Sequence, residues 1–264
     1  LHINHQLSQF AQQWQQHCAD YCESLKMDFA ATSVDVKNIL GDAGSGVEAM
    51  ARRLRYEAFA NHLQENEVLL LAHHMDDQLE TFLLRLMRGA GVHGLSAMPV
   101  SRAVGPGRLL RPLLNVTRQQ LLDYAASNAL VWVEDDSNSD SRFDRNFCRH
   151  DIFPVVAQRW PKYRWSWGKS LQLIAEAAEV VAELGAQDVE NATANHAAVL
   201  SLRSLATLSR PRQCSALRHW LSRLNAPELG WKPLNELMSK LEAHRGNGQT
   251  LSVSADFQLV AYRD

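Results

Sequence analysis

The segment Ala72-His73-His74-Met75-Asp76-Asp77-Gln78-Leu79-Glu80-Thr81 concentrates ionisable groups more than any other in the chain. It follows the apolar run Glu67 to Ala72 and leads into a helical pattern from Asp76 to Arg88, with Leu79, Phe82, Leu83, Leu86 and Met87 as its apolar stripe. A strand end passing into a helix is where open α/β sheets bind ligands. Asp77 and Glu80 are three residues apart, so their carboxylates share one helix face, with His73 just ahead of them. Such oxygens suit Mg²⁺ held with nucleotide phosphates, with Asp77 as the metal ligand, or the ammonium of an amine substrate. A single carboxylate near a helix start could be a cap, but two aspartates, a glutamate and two histidines exceed that need. The zinc-protease pattern His-Glu-x-x-His is absent.

A second charged segment runs from Glu134 to Arg149 after the apolar stretch Leu130 to Val133, read as the last strand. Arg145 and Arg149 are four apart and face one anion together if the segment is helical; guanidinium forks suit phosphate. The alternative is an acidic loop neutralised by its own arginines. A third group, Glu48, Arg52 and Arg55 with Tyr56, lies on a helix expected from about Val47 to Asn61, and by itself reads as structural. Gly44-Ser45-Gly46 lacks the Lys-Ser/Thr of a Walker motif and is rejected as a phosphate loop. Cys18 and Cys22 are one helical turn apart, but no second close pair completes a zinc set, so the four cysteines read as reduced thiols.

The elements that must position these groups alternate. Leu1 to His5 reads as a short strand, and Ser8 is a candidate cap for a helix to about Met27. Phe29 to Val36 tends to strand before a Gly-rich turn at Gly41 to Gly46. The run before His73 suits a strand covered on both faces. Leu109 to Leu114 reads as a short strand, and Thr117 caps a helix from Arg118 to Asn128. The fold class is therefore α/β, a Rossmann-like parallel sheet with crossover helices. From about Trp160 the pattern turns helical: Ser170 to Asn191, Pro211 to Asn225 and Trp231 to His244, then one bent or two short strands over Thr250 to Tyr262. Residues 1–160 are read as a catalytic domain and 161–264 as a mostly helical second domain.

The chain has 264 residues, 46% of them hydrophobic, which is enough to bury a core. No apolar run reaches membrane-spanning length and no signal peptide is visible, so no membrane association and a cytoplasmic location are expected. A net charge of −2 argues against indiscriminate nucleic-acid binding. The distribution says more: Leu1 to Ala51 carries two Lys/Arg against six Asp/Glu, whereas Arg52-Arg53-Leu54-Arg55, Arg85 with Arg88, and Arg142, Arg145 and Arg149 form basic clusters.

Taken in order, several segments resemble the tRNA(Ile)-lysidine synthetase family of the N-type ATP pyrophosphatase superfamily. They are Leu1 to Ser8, Glu48 to Tyr56, Ala72 to Gly94, Arg111-Pro112-Leu113, and Asp136-Ser137-Asn138 through Arg149 and Pro154. The likeness covers about 160 residues, and the helical remainder is similar to that family's next domain. It implies an adenine nucleotide alpha hydrolase-like fold and a two-step reaction using ATP and Mg²⁺. The C2 oxygen of the wobble cytidine in a CAU-anticodon isoleucine tRNA is adenylated, then displaced by the amine of free L-lysine. On this resemblance His73, Asp77 and Glu80 are catalytic, Asp77 and Glu80 orient the lysine amine or Mg²⁺, and Arg145 and Arg149 steady phosphate or the tRNA backbone. Glu48, Arg52 and Arg55 support the site.

The family's Ser-Gly-Gly-x-Asp-Ser ATP loop and first strand would lie ahead of Leu1, and its small C-terminal domain beyond Asp264. The expectation is a fragment, or a degenerate product, that binds ATP poorly and does not modify tRNA, while the full protein does. A non-catalytic tRNA-binding remnant and a sulfur-inserting tRNA enzyme of the same superfamily are the alternatives. Oligomeric state is left open, a homodimer among the options.

Overall fold

The computed structural model describes the chain except residues 37–45, 194–195, 244–248, 253–256 and 262–264, together with the side chains of Glu48, Asp136, 249–252 and 261. The Gly-rich turn at 41–46, apart from Gly46, lies outside the described residues. Two compact units emerge: Leu1–Leu84 with Ala97–Gly168, and Arg85–Ser96 with Lys169–Asp264.

In the first unit, β1 (His2–Asn4), α1 (Ala11–Ser24) and β2 (Ala31–Ser33) form a parallel crossover, with Ile3 opposite Thr32. There follow α2 (Val47–His62), β3 (Val68–Leu70) and α3 (Met75–Met87), whose last residues belong to the second unit with the short α4 (Val92–Leu95). Next come β4 (Ser101–Val104), β5 (Gly107–Leu110) and α5 (Arg118–Ser127). β3 pairs with β5 in parallel, Leu69 opposite Leu109, as the α/β expectation requires. The ladder is not wholly parallel, because β4 pairs antiparallel with β5. The Gly105-Pro106 turn makes this hairpin: Gly105 has φ +52°, and a Cβ there would come within 2.9 Å of the Ala60 main chain. Glycine thus supplies both the turn and its close approach to α2. Phe59, Leu63, Val104 and Leu109 form the core beneath.

Three local expectations need correction. Ser8 does not cap α1: its Oγ accepts from the Phe10 N–H (3.1 Å), and the helix begins at Ala11 without a side-chain cap. β3 is not covered on both faces, since Val68 and Leu70 are exposed while Leu69 packs on the core. An apolar run of strand length does not say which faces are covered. Leu130–Val133 is not a strand; it pairs with no strand among the described residues. Val131 (76% exposed) to Val133 instead borders an open groove of about 420 Å³ with His2, Cys18 and Phe29. Apolar and β-branched residues favour a half-covered surface, and only a neighbouring strand turns that preference into a ladder.

The capping reading of α5 holds in full. Thr117 accepts from Gln120 N, and the Gln120 side chain accepts from Thr117 N. Beyond it come a 3₁₀ turn (Asp136–Ser139), α6 (Asp144–Phe147), a π-helical turn (Cys148–Ile152) and α7 (Phe153–Arg159).

α8 (Tyr163–Ala192) starts well before the expected Ser170. Its first turns carry Tyr163 and Trp167, which stack with Phe153 and Phe82. In the second unit α9 (Leu202–Ala206), α10 (Arg210–Arg223) and α11 (Trp231–Glu242) enclose an apolar core around Leu217, Trp220, Leu221, Leu234 and Met238. Pro211 stands in the first turn of α10, where its missing N–H is no loss. Asp188, only 2% exposed, pairs with Arg212. β6 (Gln249–Ser252) and β7 (Gln258–Ala261) are antiparallel, giving the two short strands. No described helix is long and apolar enough to cross a membrane.

Candidate functional site

The site assembles where β3 ends and α3 begins. Leu71 N–H donates to Leu110 O (2.9 Å) and Met75 N–H to Val116 O (2.8 Å), which ties this corner to the chain leaving β5. Asp77 Oδ2 accepts from His74 N–H (2.9 Å), so one aspartate oxygen does the work of a helix cap. Asp76 is equally committed: Oδ2 accepts from Arg118 N–H (2.8 Å) and Oδ1 from Arg164 Nε (2.7 Å). Burial alone would raise its pKa, but those two donors and the Arg164 charge bring it below the usual carboxylate range. Asp76 therefore acts as a tie between α3, α5 and α8.

Glu80, one turn further along α3, is wholly inaccessible. Its Oε1 accepts from Arg149 Nε (2.9 Å) and lies 2.8 Å from Arg149 Nη2. Its Oε2 is buried with no hydrogen-bond partner; Arg145 Nη1 stands 3.8 Å away. Burial pushes this carboxyl up to about 6, with the Asp77 charge assisting and Arg149 and Arg145 opposing. Arg149 Nη2 is also 3.6 Å from Asp77 Oδ1, and Arg145 Nη2 donates to Thr81 Oγ1 at 3.4 Å. The two carboxylates on one helix face thus meet the two guanidiniums from a separate segment.

What brings that segment in is local. Asn146 Nδ2 donates to Ser137 O (2.8 Å) and Asp140 O (3.0 Å), folding residues 137–146 on themselves. The π-helical turn then widens the helix between Arg145 and Arg149. Such turns add a residue per turn and recur at functional sites. Spacing alone made the two arginines neighbours on a regular helix; α6 is only four residues long and the π turn completes the arrangement. Self-neutralisation of this acidic stretch applies to Arg142, which forks onto Asp140 at the surface.

His73 is half-buried, and its Nδ1 has no hydrogen-bond partner. Burial holds its imidazole neutral, with a pKa of about 4; Asp77 opposes this, while Arg111, Arg145 and Arg52 reinforce it. His73 shares the Asp77 and Arg145 charges with Glu80 and adds those of Arg111 and Arg52. Of the helix expected to support the site, Arg52 sits 5.0 Å over the Tyr56 ring, whereas Arg55 Nε turns to His5 Nε2 (3.1 Å) at the end of β1. The Glu48 side chain lies outside the described residues.

Structure adds residues that the sequence did not single out chemically. Arg111, 2% exposed, donates to Pro99 O (2.7 Å) and reaches the Tyr56 hydroxyl (3.4 Å). Arg164 holds Asp76 and lies 4.9 Å over the Tyr163 ring. Arg111 stood in the Arg-Pro-Leu run that carries part of the resemblance; Arg164 gave no signal. Cys18 and Cys22 are free thiols, and no group of three His, Cys, Asp or Glu suited to a metal occurs among the described residues. Both Asp77 oxygens have donors beside them, His74 N–H on Oδ2 and Arg149 3.6 Å from Oδ1, so a Mg²⁺ there would compete with Arg149 for Asp77.

Several known proteins are similar to this chain in sequence. A model of the TilS substrate binding domain matches residues 200–264. The tRNA(Ile)-lysidine synthase of Pseudomonas syringae pv. tomato is 42% identical over 247 residues, covering 89% of this chain and 54% of that protein. That of Coxiella burnetii is 44% identical over 221 residues, 84% of this chain and 48% of its own. That of Serratia proteamaculans is 39% identical over 263 residues, 100% of this chain and 59% of its own. The chain therefore spans about half the length of the relatives it matches. The PP-loop domain model matches residues 1–156, more than half of the chain, and to that family the chain belongs.

Proposed function

We propose that the full-length protein ligates lysine to C2 of the wobble cytidine in a CAU-anticodon isoleucine tRNA. The observation that carries the reading is the joint placement of Asp77 and Glu80 with Arg145 and Arg149 beside His73, in a chain about 40% identical to proteins named for this reaction. In the first half-reaction the C2 oxygen attacks the α-phosphorus of ATP and pyrophosphate leaves. In the second the lysine amine forms a bond to C2, the C2–O bond breaks, and AMP departs with the oxygen. Adenylation turns a poor leaving oxygen into a good one, and fixed cations offset the charge it carries.

Each residue has a task in this scheme. Asp77 holds the lysine ammonium, and Glu80 Oε2, shut off from solvent in the unliganded fold, is uncovered to meet it when substrate binds. A carboxyl with its pKa raised toward neutrality accepts a proton from the incoming amine, which must lose one to attack. Neutral His73 offers a second acceptor, with Nδ1 open to it. Arg145 and Arg149 hold the carboxylates in place and lend positive charge to the phosphate. Mg²⁺ bound by Asp77 and the ATP phosphates would withdraw charge from the leaving pyrophosphate. The mostly helical 161–264 region, whose residues 200–264 match a substrate-binding domain, carries tRNA contacts, read through shape and backbone.

The test supplies the full-length protein with ATP, free lysine and either the CAU isoleucine tRNA or the methionine tRNA. AMP release should require lysine and occur with the first tRNA alone. Release that ignores lysine, or that occurs equally with both tRNAs, rejects the reading.

A further inference from the structure

Three guanidiniums from three places in the first unit converge on one side chain, Tyr56 of α2. Arg52, one turn earlier on the same helix, has its Cζ 5.0 Å from the ring centre. Arg102, from the edge strand β4, stands at 4.4 Å. Arg111, just past the end of β5, brings Nη2 to 3.4 Å from the hydroxyl. Burial raises the phenol's pKa, but the Arg52 charge and hydrogen bonds from Arg111 and Arg102 bring it below its ordinary value.

Arg111 is the informative member. Its side chain is almost completely buried, yet among the described residues no carboxylate pairs with it. Its partners are a carbonyl and a phenol, and its Nε is buried with no partner. Arg102 likewise meets no carboxylate among the described residues. Burying a cation without a counter-charge is costly, and a fold that gathers two more beside it compounds the cost. Glu80 shows the contrast: its burial comes with Arg149 against one of its oxygens. Among the described residues, the charge missing around Tyr56 is negative.

We propose that Arg102, Arg111 and Tyr56, with Arg52 at the margin, form a binding subsite for a phosphate group, built from residues other than the carboxylate–guanidinium cluster at Glu80. The geometry suits phosphate: planar forks from different elements address different oxygens, and the phenol adds a hydroxyl donor. Arg111 directly follows β5, so the subsite lies off the carboxyl end of a parallel strand, where such sheets take ligands. Two sources supply this chemistry under the proposed function, on which this inference draws for its ligands: the phosphates of ATP, and a phosphodiester of the tRNA backbone.

The experiment measures direct binding to the full-length protein, so it reads the subsite whether or not lysidine is formed. Arg102→Gln is the main variant, because Arg102 is exposed on an edge strand and its loss leaves the core intact. Arg108→Gln, in the paired strand of the same hairpin, removes the same charge but contacts Ser101 rather than Tyr56, and serves as control. Arg102→Gln should weaken either ATP or tRNA by about tenfold or more, and Arg108→Gln by much less. If tRNA is the ligand, the salt dependence of its binding should flatten by about one counterion. If ATP is the ligand, tRNA binding and its salt slope should stay unchanged. Equal effects of the two variants, or none with either ligand, overturn the subsite. A wild type that forms no lysidine while Arg102→Gln still loses its phosphate ligand would sink the proposed reaction and leave the subsite standing.

Discussion

Glu80 and Leu217 are buried to the same degree, 0% and 1% exposed, and are kept there by opposite means. Leu217 sits among Leu221, Leu234, Leu237 and Met238, where every neighbour gains from excluding water. Glu80 sits against Arg149 and Arg145, and its burial costs desolvation that the pairing offsets only in part. The helical unit's core is mostly such cohesion, with Asp188 paired to Arg212 as its buried charge among the described residues. The α/β unit places more of its buried polar groups, Asp76, Glu80, Arg111 and Asn146 among them, where apolar side chains would have been more stable. Interiors that accept such a cost are the ones with chemistry to perform.

The sharpest way to break this comparison is to replace Glu80 by Gln in the full-length protein. Lysidine formation should fall by about 10²- to 10⁴-fold, the usual worth of a positioned acid–base group. A variant within threefold of wild type would mean that Glu80 is only structural. On the other side, Leu217→Ala should lower unfolding stability by about 2–5 kcal/mol in urea, through lost burial and the cavity left behind. A loss under 1 kcal/mol would show that the helical core is loosely packed.

Acid sharpens the contrast further. The folded-state pKa of Glu80, about 6, lies above the ordinary 4.5. Its contribution is therefore favourable below 4.5 and is lost as pH rises through 6. A shift of that size is worth about 2 kcal/mol. Glu80→Gln should abolish this contribution, so wild type minus variant should lose stability from pH 4.5 to 6, whereas wild type minus Leu217→Ala should stay flat. His73 works in the reverse sense: with its pKa depressed to about 4, its contribution is present above 6.5 and fades as pH falls through 4. A flat Glu80 difference curve would contradict the raised pKa. The smallest expected effect is Thr117→Ala, about 1 kcal/mol from the lost cap on α5, with no change in the pH profile.

Legibility followed the same division. Helices α3, α5, α10 and α11 could be placed to within a few residues because their apolar stripes and, at Thr117, the cap are local. The cluster at His73, Asp77 and Glu80 was visible for a similar reason: one helix turn puts the carboxylates side by side. Leu130–Val133 misled because strand propensity has no meaning without a partner strand. Arg164 was invisible, since nothing near Tyr163 announces that it will hold an aspartate 88 residues away.

By itself the sequence determined which residues share a helix face and, at Thr117, where a helix is capped, since these depend on a few neighbouring residues. Only the tertiary structure decided that Arg149 lies on Glu80, 69 positions earlier, and that Arg102 and Arg111 meet at Tyr56. Those pairings arise from sheet register, a hairpin and a π turn, and the resulting charge balance belongs to the folded interior, where water no longer screens it.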